Sequence, residues 1–254
     1  MLFDTHAHLD DGRFDEDRQQ VIEQCKAEGV ELILNAASNL HTSLKSIALA
    51  KEYDFIYASV GVHPHDAKSM DSKTIEVLRD LTVNPKVKAV GEIGLDYHYD
   101  FSPREVQKRR FMEQIDLAKQ LKLPIIVHDR ESHGDIMEIF KKMDVKNMGG
   151  VLHSFSGSLE MARECLKLGF YLSISGPLTF KNNVKTIEVV KEIPLDMLLI
   201  ETDSPYLTPV PYRGKRNYPG YVRYVAEKIA EIKGLSYEEV ANKTLENGKR
   251  LFDI

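Results

Sequence analysis

The chain has 254 residues and a formal net charge of 34 − 39 = −5. An acidic balance of this kind excludes an extended basic surface for nucleic acid, though not a local cationic patch. Two cysteines, Cys25 and Cys165, no apolar run long enough to span a bilayer and a charged Met-Leu-Phe-Asp start lead to the expectation of a cytoplasmic protein with buried, reduced thiols, no signal peptide and no membrane contact.

Short runs rich in Val, Ile and Leu alternate with longer amphipathic stretches, the pattern of βα units around a parallel sheet. The first predicted strand, residues 2–6, ends in His6, with His8 two positions on. A helix over 15–28, a strand over 31–36 and a helix over 42–52 follow. A strand over 55–61 then leads to His63 and His65. Beyond a helix over 71–81, the strand 87–91 runs into Glu92. The helix over 103–121 opens on Ser102-Pro103-Arg104-Glu105, where Ser102 is expected at the N-cap and Pro103 in the first turn. Strands 124–128 and 149–153 end in His128 and His153, and strands 170–174 and 197–201 follow, the last just before Asp203. Helices over 132–143, 158–167 and 183–192 separate these strands. Two more close the chain, over 220–233 and 236–251, with Gly234 as the break and Ser236-Tyr237-Glu238-Glu239 as a capping box. Eight strands in this alternation predict a TIM-type (β/α)8 barrel with an extra C-terminal helix, in one domain over residues 1–254, since no linker or change of composition interrupts it.

In such a barrel the C-terminal ends of the strands converge on one face, where catalytic residues collect. The six residues His6, His8, Glu92, His128, His153 and Asp203 all fall at those ends. His6 and His8 are two apart on an extended segment, so both imidazoles reach one side. Asp4 is expected to orient one of them, as carboxylates commonly do beside metal-bound histidine. A buried carboxylate such as Glu92 or Asp203 is costly without a cation or hydrogen bonds. The set is large enough for two divalent ions: His6, His8, Glu92 and Asp203 around one, His128, His153 and Glu92 around the other, with Glu92 as the bridge. Mixed nitrogen and oxygen ligands suit Mg²⁺, Mn²⁺ or Zn²⁺. Paired ions suit in-line attack on phosphorus, and Asp203 is also a candidate base for the attacking water.

Five segments carry a resemblance: Phe3-Asp4-Thr5-His6-Ala7-His8-Leu9, Gly61-Val62-His63-Pro64-His65, Gly91-Glu92-Ile93-Gly94-Leu95-Asp96-Tyr97, Pro124-Ile125-Ile126-Val127-His128-Asp129-Arg130 and Glu201-Thr202-Asp203-Ser204-Pro205-Tyr206-Leu207. Together they resemble the TatD family of metal-dependent nucleases, within the amidohydrolase-like barrel superfamily. The resemblance implies a β/α barrel, divalent metals, DNase activity that is often 3′→5′ exonucleolytic, and metal-site roles for His6, His8, Glu92, His128, His153 and Asp203. The family often has Cys after the sixth-strand histidine, where this chain has Ser154. That departure bears on fine specificity rather than on the core chemistry.

For substrate, His63 is the candidate at the third strand end, to meet a phosphate oxygen or a bound water, while His65 reads as a loop histidine without a role. Arg130 offers a guanidinium fork that either meets phosphate or pairs with Asp129 or Glu131. The segment Tyr212-Arg213-Gly214-Lys215-Arg216-Asn217-Tyr218 sets three cations among aromatics, suited to a nucleic-acid backbone. The glycines of Gly91-Glu92-Ile93-Gly94 are read as letting backbone approach the metal site. The expected partner is therefore a DNA strand end, single-stranded, with RNA or tRNA left open, and nothing demands a protein partner. Two other functions fit the same residues: a hydrolase of an ester, amide or lactone, including D-aminoacyl-tRNA, or a metal-stabilised scaffold without turnover.

Overall fold

The computed structural model describes residues 1–254. Eight parallel strands, β1 (Leu2–Ala7), β2 (Val30–Asn35), β3 (Ile56–Val60), β4 (Val87–Asp96), β5 (Ile125–Arg130), β6 (Gly150–Leu152), β7 (Phe170–Ile174) and β8 (Leu198–Ile200), lie in sequence order in one sheet. The sheet curls until its edges meet at the C-terminal end. There Asp203 N donates to His6 O at 2.9 Å and His8 N to Ser204 O at 2.8 Å. Helices α1 (Arg18–Ala27), α2 (Leu40–Glu52), α3 (Thr74–Leu81), α4 (Arg104–Leu121), α5 (His133–Met143), α6 (Leu159–Lys167) and α7 (Val184–Glu192) connect successive strands. Helices α8 (Val222–Lys233) and α9 (Tyr237–Phe252) follow β8. This is the TIM-barrel architecture that the strand-and-helix alternation predicts. No helix is long and apolar enough to cross a membrane, and Cys25 and Cys165 are buried free thiols.

Side chains alternate across the strands, so one face packs on the helices and the other fills the barrel. Phe3, Leu32, Leu34, Ala89, Ile126, Val151, Tyr171 and Leu199 form the inner cluster together with Leu245 and Phe252 of α9. Leu2, Ile33, Val90, Ile125, Leu152, Leu172 and Leu198 belong to the larger cluster with the helices. The extra helix is thus the floor of the barrel. Phe252 meets Phe3 edge to face at 6.0 Å, and Asn247 donates to the carbonyls of Leu195 and Leu198. The capping box of Ser236 with Glu239 and the left-handed Gly234 begin α9 as expected.

Two bulges aim the ligand-bearing strands. On β1, Asp4 pairs with Ile33 but Ala7 with Asn35, three steps against two. On β4, Val90 pairs with Ile125 and Ile93 with Val127, again three against two. An inserted residue reverses the alternation and re-aims the side chains beyond it, here His6 and Glu92. Strand β4 consequently continues to Asp96, five residues past the predicted end at Gly91. A Cβ on Gly91 would lie 2.6 Å from Ile126 Cβ, and one on Gly94 would lie 2.0 Å from His128 O. These glycines let β4 approach β5, not the metal site. The cap at Ser102 is a second correction. Proline 103 takes the N-cap position, because the Ser102 hydroxyl donates to His65 O at 2.8 Å and accepts from Lys68 N at 3.1 Å.

Candidate metal centre

A cavity of about 1050 Å³ opens at the C-terminal mouth of the barrel. His8, His63, Glu92, His128, His153 and Asp203 line it, and His6 lies buried just behind them. Glu92 is central, with its side chain only 4% exposed. Its Oε2 stands 3.2 Å from His6 Nε2 and 3.7 Å from His8 Nε2. Its Oε1 stands 2.7 Å from His128 Nδ1, 2.9 Å from His153 Nε2 and 3.3 Å from His63 Nε2. Asp203 Oδ1 joins the first group, 3.3 Å from His8 Nε2 and 3.7 Å from His6 Nε2. Asp203 reaches it from a left-handed backbone, φ +55°, a conformation uncommon outside glycine but enriched in Asp. One carboxylate therefore divides its two oxygens between two histidine clusters.

The donor set fits a cation. His6 Nε2 and His8 Nε2 approach to 3.2 Å, as do His128 Nδ1 and His153 Nε2. Two imidazole lone pairs at that range repel unless something positive lies between them. Nitrogens at the usual bond length from one tetrahedral ion stand about 3.3 Å apart. On His8, His128 and His153 the far nitrogens are committed outward, which frees the near ones, whereas His6 Nδ1 is buried without a partner. His8 Nδ1 donates to Ala36 O at 2.9 Å. His128 Nε2 is 3.0 Å from Asp96 Oδ2, and His153 Nδ1 is 3.3 Å from Glu201 Oε1. His63 differs: its Nδ1 accepts from His65 N at 3.2 Å, so in the neutral ring the proton is on Nε2, facing Glu92. It is a hydrogen-bond donor to the site, not a free lone pair.

The same crowding shifts the proton affinities of these groups in both directions. Burial disfavours charge on His8, but the bond and charge of Asp203, with Glu92 and Asp10, outweigh it and raise His8 to about 9. His128 and His153 are raised too, burial being overcome by Asp96 and Glu92 for the first and by Glu92 and Glu201 for the second. Burial lowers His63 to about 4, and lowers His6 with help from the charge of His153. Burial opposes charge on Glu92 and Asp203 as well. The surrounding histidines prevail and hold both carboxyls below their usual range.

Several residues fall differently from the reading of the sequence. Asp4 does not touch an imidazole. Its carboxylate accepts from Thr202 N and Thr202 Oγ1 at 2.8 and 2.5 Å, and from the backbone N of His6 at 3.4 Å. It orients the β8 end instead. His65 has a partner, with Nε2 2.9 Å from the same Asp96 oxygen that meets His128. Asp96 and Glu201 were not singled out, and the available signal was their place within the Glu92 and Asp203 segments. Arg130 pairs with neither neighbour: Asp129 is taken by Ser132 and His133, and Glu131 by His98. Its guanidinium lies 5.0 Å from the Tyr99 ring centre at the cavity wall. Arg213, Lys215 and Arg216 lie outside the cavity lining. Arg216 is held by Asp17, Arg213 covers the Phe180 ring at 4.2 Å, and Lys215 is 5.5 Å from the Tyr212 ring. Ser154 N donates to Glu201 at 2.7 Å, and the Ser154 and Ser175 hydroxyls are 2.7 Å apart.

The family model described as TatD related DNase matches residues 3–253. The metal-dependent hydrolase YabD of Bacillus subtilis (strain 168) is 53% identical over 254 residues, with all of both chains covered. The 3′-5′ ssDNA/RNA exonuclease TatD of Escherichia fergusonii is 34% identical over 259 residues, covering 100% of this chain and 99% of its own. Among solved structures, YjjV, the TatD homolog of Escherichia coli K12, superposes with a TM-score of 0.93 at 32% identity, over 100% of this chain and 98% of its own.

Proposed function

The chain belongs to the TatD family of metal-dependent hydrolases, and we propose that it is a phosphodiesterase that removes nucleotides from the 3′ end of single-stranded DNA. The observation that carries this reading is the division of Glu92 between two histidine clusters. It suits two divalent ions, with His6, His8 and Asp203 on one side and His128 and His153 on the other. The imidazoles favour Zn²⁺ and the carboxylates suit Mn²⁺ or Mg²⁺, so each of the three is to be tested. When bound, such a pair neutralises phosphate charge and lowers the pKa of water. The similarity to an ssDNA/RNA exonuclease at 34% identity supports nucleic acid as substrate, with RNA a second polymer to test.

The chain's own groups supply the rest. Asp203 stays ionised among histidines and takes the proton of the attacking water. His63 presents Nε2–H toward the site, where it donates to a phosphate oxygen. Arg130 meets the phosphate on the outer side. Metal-stripped protein given Mg²⁺, Mn²⁺ or Zn²⁺ separately, with a 5′-labelled single-stranded oligonucleotide, tests this. The expected result is a ladder of shortening labelled products, absent in Asp203→Asn. Ions bound without cleavage by any metal would move the search to ester and amide substrates.

A further inference from the structure

We propose that the loop joining β4 to α4 is a nucleobase-stacking subsite, with Tyr99 and Phe101 as its platform and Arg130 beside it for the neighbouring phosphate. This rests on the reading of the site as one for nucleic-acid ends. Both rings line the cavity and remain 48% and 55% exposed. They stack on one another at 5.2 Å and 24°.

Their exposure does not come from a loose loop. Asp96 Oδ1 accepts from His98 N and Tyr99 N at 3.0 and 2.9 Å. Buried Gln107 binds Asp96 N, Asp96 O and Ser102 O. The loop is thus tied down at both ends while two large apolar faces stay in water. Rigid aromatic surface of this kind binds at low entropic cost. His65 backs both rings edge-on, at 5.4 and 4.8 Å, and shares Asp96 with His128. The platform therefore stands one ring beyond the histidine cluster at Glu92 Oε1.

Charge explains why a platform is needed. Seven carboxylates line the cavity against two permanent cations, Lys45 and Arg130. Bound ions would be taken up by the scissile phosphate, so phosphates beyond it meet mostly carboxylates, whereas every base has a π-face and stacks regardless of sequence. On the opposite lip Tyr206 is also half exposed, but the Arg13 guanidinium above it is already bound by Asp11. Only the Tyr99 side combines half-exposed rings with a guanidinium that no carboxylate holds.

The test uses the metal-loaded protein, the Tyr99→Ala/Phe101→Ala variant and Tyr99→Phe. The substrates are an oligothymidylate and the same strand with abasic residues at its 3′ end. Strand binding is read separately by anisotropy in an Asp203→Asn background. The double variant should raise KM for oligothymidylate about 5- to 150-fold with kcat largely kept, up to the KM of the abasic strand. Tyr99→Phe, which keeps an aromatic face, should raise KM far less than the double variant. Equal KM in wild type and double variant would overturn the platform and leave the phosphodiesterase standing. Binding lost in the double variant, with no cleavage by wild type, would keep the platform and sink the phosphodiesterase. Neither binding nor cleavage would overturn both.

Discussion

Asp96 and Glu201 touch histidines of the proposed metal centre on the nitrogen that faces away from the site, and so decide which nitrogen presents a lone pair. Neither is exposed, and Asp96 divides one oxygen between His65 and His128. Carboxylates in such positions typically change metal affinity by about 10–100-fold. Asp96→Asn and Glu201→Gln should therefore weaken metal binding by that order, read by competition with a chromophoric chelator, with the circular dichroism of the fold kept. Unchanged affinity in both would remove these carboxylates from the account.

At the scale of elements, β4 and α9 govern the site from opposite ends of the barrel. Gly91 sits where β4 bulges, and any Cβ there meets Ile126 on β5. Gly91→Ala should displace Glu92 and abolish metal binding more completely than it lowers Tm, which metal titration and thermal melts would separate. On the floor, Phe252→Ala empties a fully buried ring against Phe3. It should cost about 3–5 kcal/mol in urea unfolding and leave kcat of the folded protein nearly unchanged. These two elements also mark the limit of what the sequence discloses. Periodicity and strand-end chemistry sufficed for the eight strands, the nine helices and the cluster of His6, His8, Glu92, His128, His153 and Asp203 at one mouth. Periodicity cannot register an inserted residue, so the bulges and the last five residues of β4 stayed hidden. Nor could local capping rules foresee that the hydroxyl of Ser102 is spent on His65 and Lys68, or that Arg216 is spent on Asp17. Those are tertiary contacts between residues distant in the chain.

Across the whole molecule, acidity and the titration of the site set the measurable behaviour. With Lys45 and Arg130 the only permanent cations in the cavity, strand binding should show a shallow salt dependence. A slope of log K against log salt of about −1.4 corresponds to two phosphate contacts on single strands. A slope several times steeper would require a contact surface outside the cavity, with the Arg213–Arg216 segment the first place to look. The metal-free protein should be most stable near the ordinary histidine pKa. His8, raised from 6.5 to about 9 by Asp203 and Glu92 against its burial, stabilises fully below 6.5, and that contribution is lost as pH rises through 9. Buried His63, lowered from 6.5 to about 4, stabilises fully above 6.5 and loses this as pH falls through 4. Melting curves of stripped protein between pH 4 and 9 should therefore peak in the middle. Metal should remove the alkaline decline, because the ion replaces the His8 proton and binds more tightly as pH rises. The most direct test of the central claim is DNA-cleaving activity against equivalents of Mn²⁺ added to stripped wild-type protein and to Glu92→Gln. If Glu92 joins two cation sites, wild-type activity rises to a plateau at about two equivalents, and the variant binds fewer ions and does not cleave. A plateau at one equivalent, or a Glu92→Gln protein that cleaves at the wild-type rate, would contradict it.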